Sequence, residues 1–452
     1  MTVAISASRL LGIEPGNTTR KLFGLAFDIG TTTLVGSLVD LVSGRELRTA
    51  SRTNPQVAFG DDVISRIEYA STHKDGLERL NAEIVRAVNE IVGELCADVD
   101  REKIYETTVV GNSTMTHLFL KIPPRYLGQA PYVSTYKGLI ETSASEVGLE
   151  VNPASRVVIL PNIAGFVGAD TVGVILASGL HKSRKLRMAI DIGTNTEIVL
   201  GTRERLLAVS CAAGPAFEGV RIKFGMRACP GAIERVSMNE DVSVSVIGNR
   251  PGSGICGSGI IDAIGELLRL GIIDRTGFLR ERKDLASLPK GIRRRAISDS
   301  DGNMFVLLEA SRTESGKKLY ITQRDVRQVQ LAKAAIHTGV QVLKKELDVE
   351  DEDISEVYLA GGFGNFVRKE QAMRLGILPD VPLEKVKFIG NAAHSGAKLA
   401  LLSKKMRREA EKISAMVRYV ELAGRPDFQE TFSDSLFFTS ANTSAVELSR
   451  TF

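Results

Sequence analysis

Apolar and polar positions along the chain fall into the same short plan twice. Alternation predicts strands at 22–29 and 33–40, a Ser43-Gly44 turn and a third strand at 46–52. Strand, loop, strand and strand then recur at 187–192, 196–201 and 205–211, with Arg203-Glu204 at the second turn. Asp28 and Asp191, which lead the two loops, are 163 residues apart, a spacing that suits a duplicated domain and is too long for a solenoid repeat. Helical periodicity fills 62–70 and 77–96. A strand at 107–110 precedes Gly111-Asn112, and a strand at 157–160 leads through 161–170 into a connecting helix at 171–180. Further helices are expected at 260–270, from a Thr322 cap to about Leu347, and through Met406 to Val417. A strand at 357–360 opens into a glycine cluster. The resulting partition is an arm at 1–21 that frays, a first lobe at 22–185, a second at 186–400, and a C-terminal helix and tail at 401–452 that packs back on the first lobe.

Composition narrows the class without choosing the chemistry. The 452 residues exceed one ordinary domain, and 43% hydrophobic with 25% charged residues is the balance of a globular protein. A net charge of +4 is too mild for a nucleic-acid-binding surface, and Arg293-Arg294-Arg295 reads as a solvated cluster. No apolar run spans a bilayer and no signal core is present, so no membrane partner is expected and the location is read as cytoplasmic. Cys96, Cys211, Cys229 and Cys256 contain no Cys-Xaa-Xaa-Cys pair, which argues against a disulfide framework or a zinc site. His117, His337 and His394 lack metal-ligand spacing and read as structural.

The repeated loops carry the chemistry. Each is an aspartate followed by glycine and hydroxyl or amide residues: Asp28, Gly30, Thr31, Thr32 and Thr33 in the first, Asp191, Gly193, Thr194, Asn195 and Thr196 in the second. Glycine admits phosphate oxygens close to the backbone, amides and threonine hydroxyls donate to them, and a carboxylate holds Mg2+ directly or through water. Asp28 and Asp191 are therefore the candidate metal ligands in a split, two-lobed ATPase. Gly361, Gly362, Phe363 and Asn365 form the adenosine-side candidate. Gly257 and Ser258 open a helix whose N-terminus suits phosphate or ribose. Gly252 to Gly257 match the dinucleotide fingerprint literally, but Pro251 interrupts the passage from strand to loop. A P-loop string is absent.

Three such loops in order resemble the actin-like ATPase superfamily of sugar kinases, chaperone ATPases and actin, which implies an α/β fold of duplicated RNase H-like lobes with a nucleotide cleft between them. Asn54-Pro55-Gln56, Gly111-Asn112-Ser113-Thr114, Pro161-Asn162-Ile163-Ala164-Gly165-Phe166-Val167-Gly168-Ala169-Asp170, Ala213-Gly214-Pro215-Ala216-Phe217-Glu218-Gly219 and Cys256-Gly257-Ser258-Gly259 narrow the match. They look like the ATPase portion of the reductive activators of corrinoid proteins, over residues 22 to 440. That resemblance implies ATP and Mg2+ as ligands and a corrinoid protein as partner. It also implies that ATP helps return cobalt(II) to cobalt(I) with electrons from a separate donor such as a ferredoxin. The family's N-terminal iron–sulfur domain is missing, so no iron–sulfur cluster is expected in this chain, and a homodimer is compatible with the reading. The resemblance makes Asp170 the candidate for orienting the attacking water, although a helix N-cap is an equal alternative there. Glu197 and Glu218 are further polar contributors. Three other functions remain open: a small-molecule kinase, a dehydratase activator with a dimer-bridging cluster at Cys211, and a nucleotide-gated binding protein.

Overall fold

The computed structural model describes residues 1–6, 9–300, 302–362 and 367–438. The chain begins with an antiparallel hairpin, β1 (Thr2–Ser6) and β2 (Arg9–Glu14), where fraying was expected. Glu14 is buried, receives the Tyr105 hydroxyl and pairs with Lys103 at 2.6 Å, so a charged anchor fixes the arm. Burial opposes ionisation of Glu14, but the Lys103, Thr18 and Tyr105 donors overcome it and bring its pKa down to about 2. There follow β3 (Phe23–Ile29), β4 (Thr33–Asp40), β5 (Glu46–Thr53), α1 (Val63–Thr72), α2 (Gly76–Leu95), β6 (Ile104–Gly111), α3 (Ser113–Phe119), β7 (Ile140–Ser143), β8 (Arg156–Ile159) and α4 (Ala169–Ser178).

The second half contains β9 (Arg187–Ile192), β10 (Thr196–Gly201), β11 (Leu206–Cys211), β12 (Ala232–Met238), β13 (Val242–Val246), β14 (Gly254–Ile255) and α5 (Gly257–Arg269). It continues with α6 (Lys290–Arg293), β15 (Ala296–Asp299), β16 (Gly302–Leu308), β17 (Leu319–Thr322), α7 (Gln323–Leu347), β18 (Glu356–Ala360), α8 (Lys369–Leu375) and β19 (Val386–Gly390). The described chain closes with α9 (Ala392–Leu402), α10 (Lys404–Met416), β20 (Val417–Tyr419) and α11 (Phe428–Ser435).

Two six-stranded sheets show the duplication directly. One runs β5-β4-β3-β6-β8-β7 and the other β19-β18-β9-β10-β11-β20. In each, the aspartate strand (β3 or β9) lies between its hairpin partner and a parallel strand from later in the chain. This is the strand order of an RNase H-like lobe. A hairpin meander supplies the first three strands, and helical crossovers supply the parallel ones.

Two compact units result. The first comprises Met1–Lys185, Val199–Ala208 and Asn391–Val420; the second comprises Leu186–Ile198, Val209–Gly390 and the chain from Glu421 onward. The return to the first unit begins at Asn391, and the described chain from Glu421 to Phe438 groups with the second unit. The reason is ionic and polar. Arg425 pairs with Glu346 at 2.7 Å, and Gln330 donates to the Leu436 carbonyl at 2.9 Å. Arg295 is likewise not the solvated residue expected, because it is buried against Asp241.

Within the first unit, Leu80, Ile84, Ile91 and Leu95 recur on one face of α2 and cover Leu25, Phe27, Leu34, Leu38, Val109 and Ile159 of the sheet. On the other side α9 packs on β3 and β6, and α4 packs on β6. Glycines bring α4 and α9 into backbone contact. A Cβ on Gly173 would stand 2.7 Å from the Ala393 carbonyl oxygen, and one on Gly396 would stand 2.3 Å from the Gly173 Cα. That contact sets the position of the two helix starts, which carry Asp170 and Asn391.

Candidate functional site

In the first unit, Asp28 is the penultimate residue of β3 and is half-buried. The Gly30 amide donates to the Thr33 carbonyl at 3.0 Å and closes the loop. Asn54 braces the loop twice, its backbone donating to the Thr32 carbonyl and its Nδ2 to the Gly30 carbonyl, each at 2.9 Å. Asn112 caps α3 through Oδ1 and donates from Nδ2 to Thr31 Oγ1 at 2.9 Å. Because Thr31 Oγ1 already accepts, its own hydrogen is available to an incoming acceptor. Asn54 and Asn112 belong to the quoted strings but were given no role from sequence, since nothing in a linear string shows that a capping residue faces a distant loop.

Asp170 lies in the first turn of α4, and the N-cap is Gly168, so Asp170 is not the cap. Its Oδ1 accepts from the Thr171 amide at 2.7 Å. Asp28 and Asp170 face each other closely enough to repel. Burial first, and then the Asp170 charge, push Asp28 up to about 7 despite a donor from Asn391. Burial likewise raises Asp170 to about 6. A half-buried acid pair of this kind is short of positive charge, and oxygen donors are what Mg2+ takes, so the residues fit a hydrated divalent ion accompanying a nucleotide. Among the described residues, no group of three or more His, Cys, Asp or Glu could hold a metal without such help.

The second unit assembles its own set. Asp191 is half-buried near the end of β9 and lies in register with Ala360 of β18. Thr194 Oγ1 donates to Glu218 Oε2 at 2.9 Å, and the Gly214 amide donates to the Thr194 carbonyl at 2.9 Å, so Glu218 lies against the second loop. Gly193 and Asn195 are half-buried, whereas Thr196 is fully buried at the start of β10 and presents no hydroxyl to solvent. Gly257 opens α5 beside the same turn, where a Cβ would meet the Phe217 carbonyl oxygen at 2.0 Å; Ser258 is buried next to Cys256. The fingerprint-like Gly252 to Gly257 forms only the two-residue β14, parallel to β12.

Gly361 follows β18 and packs directly on Asp191. Its φ is +108°, and a Cβ there would stand 2.4 Å from the Ile192 carbonyl oxygen and 3.3 Å from Asp191 Oδ1. Among the described residues, no atom lies within 4 Å of where a Cβ on Gly362 would stand. Gly361→Ala is therefore expected to lose at least about 2 kcal/mol of stability and to weaken nucleotide binding, while Gly362→Ala leaves folding unchanged; urea unfolding and nucleotide titration check the contrast. Phe363 and Asn365 lie outside the described residues.

Glu197 is buried and accepts from Ser210 at 3.0 Å, away from solvent. Cys211 is buried beside Gly339, and burial with the nearby Glu197 pushes its thiol strongly up, an environment opposed to a surface cluster ligand. Cys96 and Cys256 are also buried, and Cys229 alone of the four is exposed. His117 bonds the Ser113 carbonyl at 2.6 Å, and burial brings it down to about 4, in keeping with a structural role. A cavity of about 670 Å³ in the first unit is lined by Tyr132, Lys137, Ile163, Glu411, Ser414 and Tyr419 and includes neither Asp28 nor Asp170. Chemistry, not cavity size, marks the site.

Residues 185–449 match the family described as the C-terminal domain of RACo, the ASKHA domain, and residues 23–183 match the RACo middle region. The chain belongs to the family of corrinoid reductive activators. It is 40% identical over 440 residues to the corrinoid activation enzyme RamQ of Eubacterium limosum, covering 96% of this chain and 74% of that one. It is 26% identical over 417 residues to the [Co(II) methylated amine-specific corrinoid protein] reductase of Methanosarcina barkeri, covering 85% and 70%. A solved reductive activator for corrinoid, iron–sulfur protein superposes with a TM-score of 0.87 at 42% identity, over 95% of this chain and 68% of that one. The ASKHA domain named in the family description agrees with the duplicated six-stranded sheets. No helix among the described residues is long and apolar enough to cross a membrane.

Proposed function

We propose that the chain binds Mg-ATP through its two aspartate loops and hydrolyses it to drive reduction of an oxidised corrinoid protein from cobalt(II) to cobalt(I), with the electron supplied by a separate iron–sulfur protein in the cytoplasm. The raised acid pair in the first unit carries the catalytic part of the reading. Asp170, with a pKa of about 6, is suited to take a proton from attacking water near neutral pH, and Asp28 and Asp191 would hold the Mg2+ that accompanies the phosphates, directly or through its waters. Thr31 and Thr32 donate to phosphate oxygens. Glu218 holds the Thr194 hydroxyl and so sets the shape of the second loop.

The energetic role follows from differential binding. Holding the partner in a form whose cobalt is easier to reduce by ~120 mV needs about 2.7 kcal/mol for one electron, within what an interface supplies. ATP and water become ADP and phosphate, and the donor loses the one electron that cobalt gains.

Two measurements test the reading. Anaerobic mixing with a candidate corrinoid protein, a reduced ferredoxin and ATP should give the cobalt(I) absorbance and partner-stimulated ATP turnover; cobalt reduction at the same rate without ATP overturns it. Turnover should also rise with pH through the window between about 6 and 7, as Asp170 and Asp28 ionise. A flat profile there removes both acids from the mechanism.

A further inference from the structure

Three polar side chains beneath the first aspartate loop are fully buried: Asn54, Gln56 and Arg66. Arg66, on α1, donates from Nε to the Gly60 carbonyl at 3.0 Å and from Nη1 to Gln56 Oε1 at 3.3 Å. Gln56 is held at its other end, where Nε2 donates to the Leu80 carbonyl at 2.8 Å, and its backbone amide donates to Asn54 Oδ1 at 3.0 Å. Asn54 Nδ2 in turn reaches both Gln56 Oε1 at 3.4 Å and the Gly30 carbonyl at 2.9 Å. The series therefore runs from Arg66 through Gln56 and Asn54 to the loop, entirely within the first unit.

Packing alone does not call for an arginine here. Enclosing a guanidinium is costly, and an apolar side chain of similar length would fill the same space at less cost. What the donors achieve is direction. In a trans peptide the carbonyl and the following amide point opposite ways. A Gly30 carbonyl held by Asn54 Nδ2 and a Thr32 carbonyl held by the Asn54 backbone amide therefore turn the Thr31 and Thr33 amides away from Asn54. We propose that Arg66 is a positioning residue for the first aspartate loop: from inside the unit it fixes Gln56 and Asn54, which keep the Gly30 and Thr32 carbonyls inward and the Thr31 and Thr33 amides toward nucleotide phosphate. The assignment rests on the ATP-binding reading of that loop.

Arg66→Met removes the donors at similar length, Arg66→Lys keeps a charge without the planar fork, and Asn54→Ser keeps a capping oxygen for the Gln56 amide without reaching Gly30. In the ligand-free protein, hydrogen exchange of the 28–34 segment should quicken by about tenfold or more in all three, with the β8 and α9 segments unchanged. Titration calorimetry with Mg-ADP should show binding weakened about tenfold in each. The Arg66→Met/Asn54→Ser double variant should bind no more weakly than the worse of its two parents, because the residues act in series. Arg66→Lys and Asn54→Ser carry the test if Arg66→Met does not fold. Unchanged loop exchange, unaltered Mg-ADP affinity, or losses that multiply in the double variant overturn the proposal. A wild type that takes up no Mg-ADP, with loop exchange still quickened in the variants, removes the ATP-binding reading and leaves the Arg66 brace standing.

Discussion

Asp28→Asn is expected to abolish ATP turnover, by at least about 10²-fold, while making the ligand-free protein more stable at pH 8. The sign follows from where the proton is held. In the folded chain Asp28 titrates near about 7, against an ordinary value of 3.8, so between those values the folded state binds more protons than the unfolded one. Stability contributed by the protonated acid is complete below the ordinary value and is lost as pH rises through 7. Asparagine stays neutral throughout, and its carbonyl can still accept from Asn391. A gain of about 1–3 kcal/mol at pH 8 that vanishes toward pH 4 is the expected signature in thermal unfolding. Equal stability at pH 8 would mean that the site does not hold this carboxylate at a cost.

Gly173→Val should be the most damaging change outside the loops. A Cβ at this position would lie 2.7 Å from a backbone carbonyl of α9, and backbone cannot rotate away as a side chain can. Overpacking costs about 1–3 kcal/mol and more where the helix itself must shift. The shift separates Asp170 from Asn391 and thereby disturbs both neighbours of Asp28, so turnover should fall by about tenfold or more even in the folded fraction. Gly179 ends the same helix with a φ of +66° and open space around it. Gly179→Ala should therefore cost about 1 kcal/mol with turnover retained. Urea unfolding and steady-state ATPase rates on the two variants distinguish a packing effect from general fragility of α4.

The duplicated hairpins were legible because alternation of apolar residues writes a strand directly, and an aspartate followed by glycine writes the turn between strands. Thus β3, β4, β9 and β10 match the expected spans within about two residues. Of the strands β12 to β17, β16 was missed because its residues, such as Phe305, are buried in a continuous run, whereas β13 and β17 alternate and were passed over between longer helical signals. The hairpin β1–β2 was missed because its anchor is a charge, Glu14, and a sequence does not show that a carboxylate is enclosed. The same limit applied to the site. Asp28, Asp170 and Asp191 could be named from their strings, and Glu218 was named without a partner. Asn54, Asn112 and Asn391 act through contacts between segments 81 and 363 positions apart in the longer cases, and no local pattern encodes them.

The cysteine distribution has a practical consequence. With Cys96, Cys211 and Cys256 enclosed and Cys229 open to solvent, the unaltered polypeptide offers one addressable thiol. A maleimide dye placed there reports from the second unit without any cysteine having first to be removed. Its emission can be followed through nucleotide addition under the strictly anaerobic conditions that cobalt(I) demands.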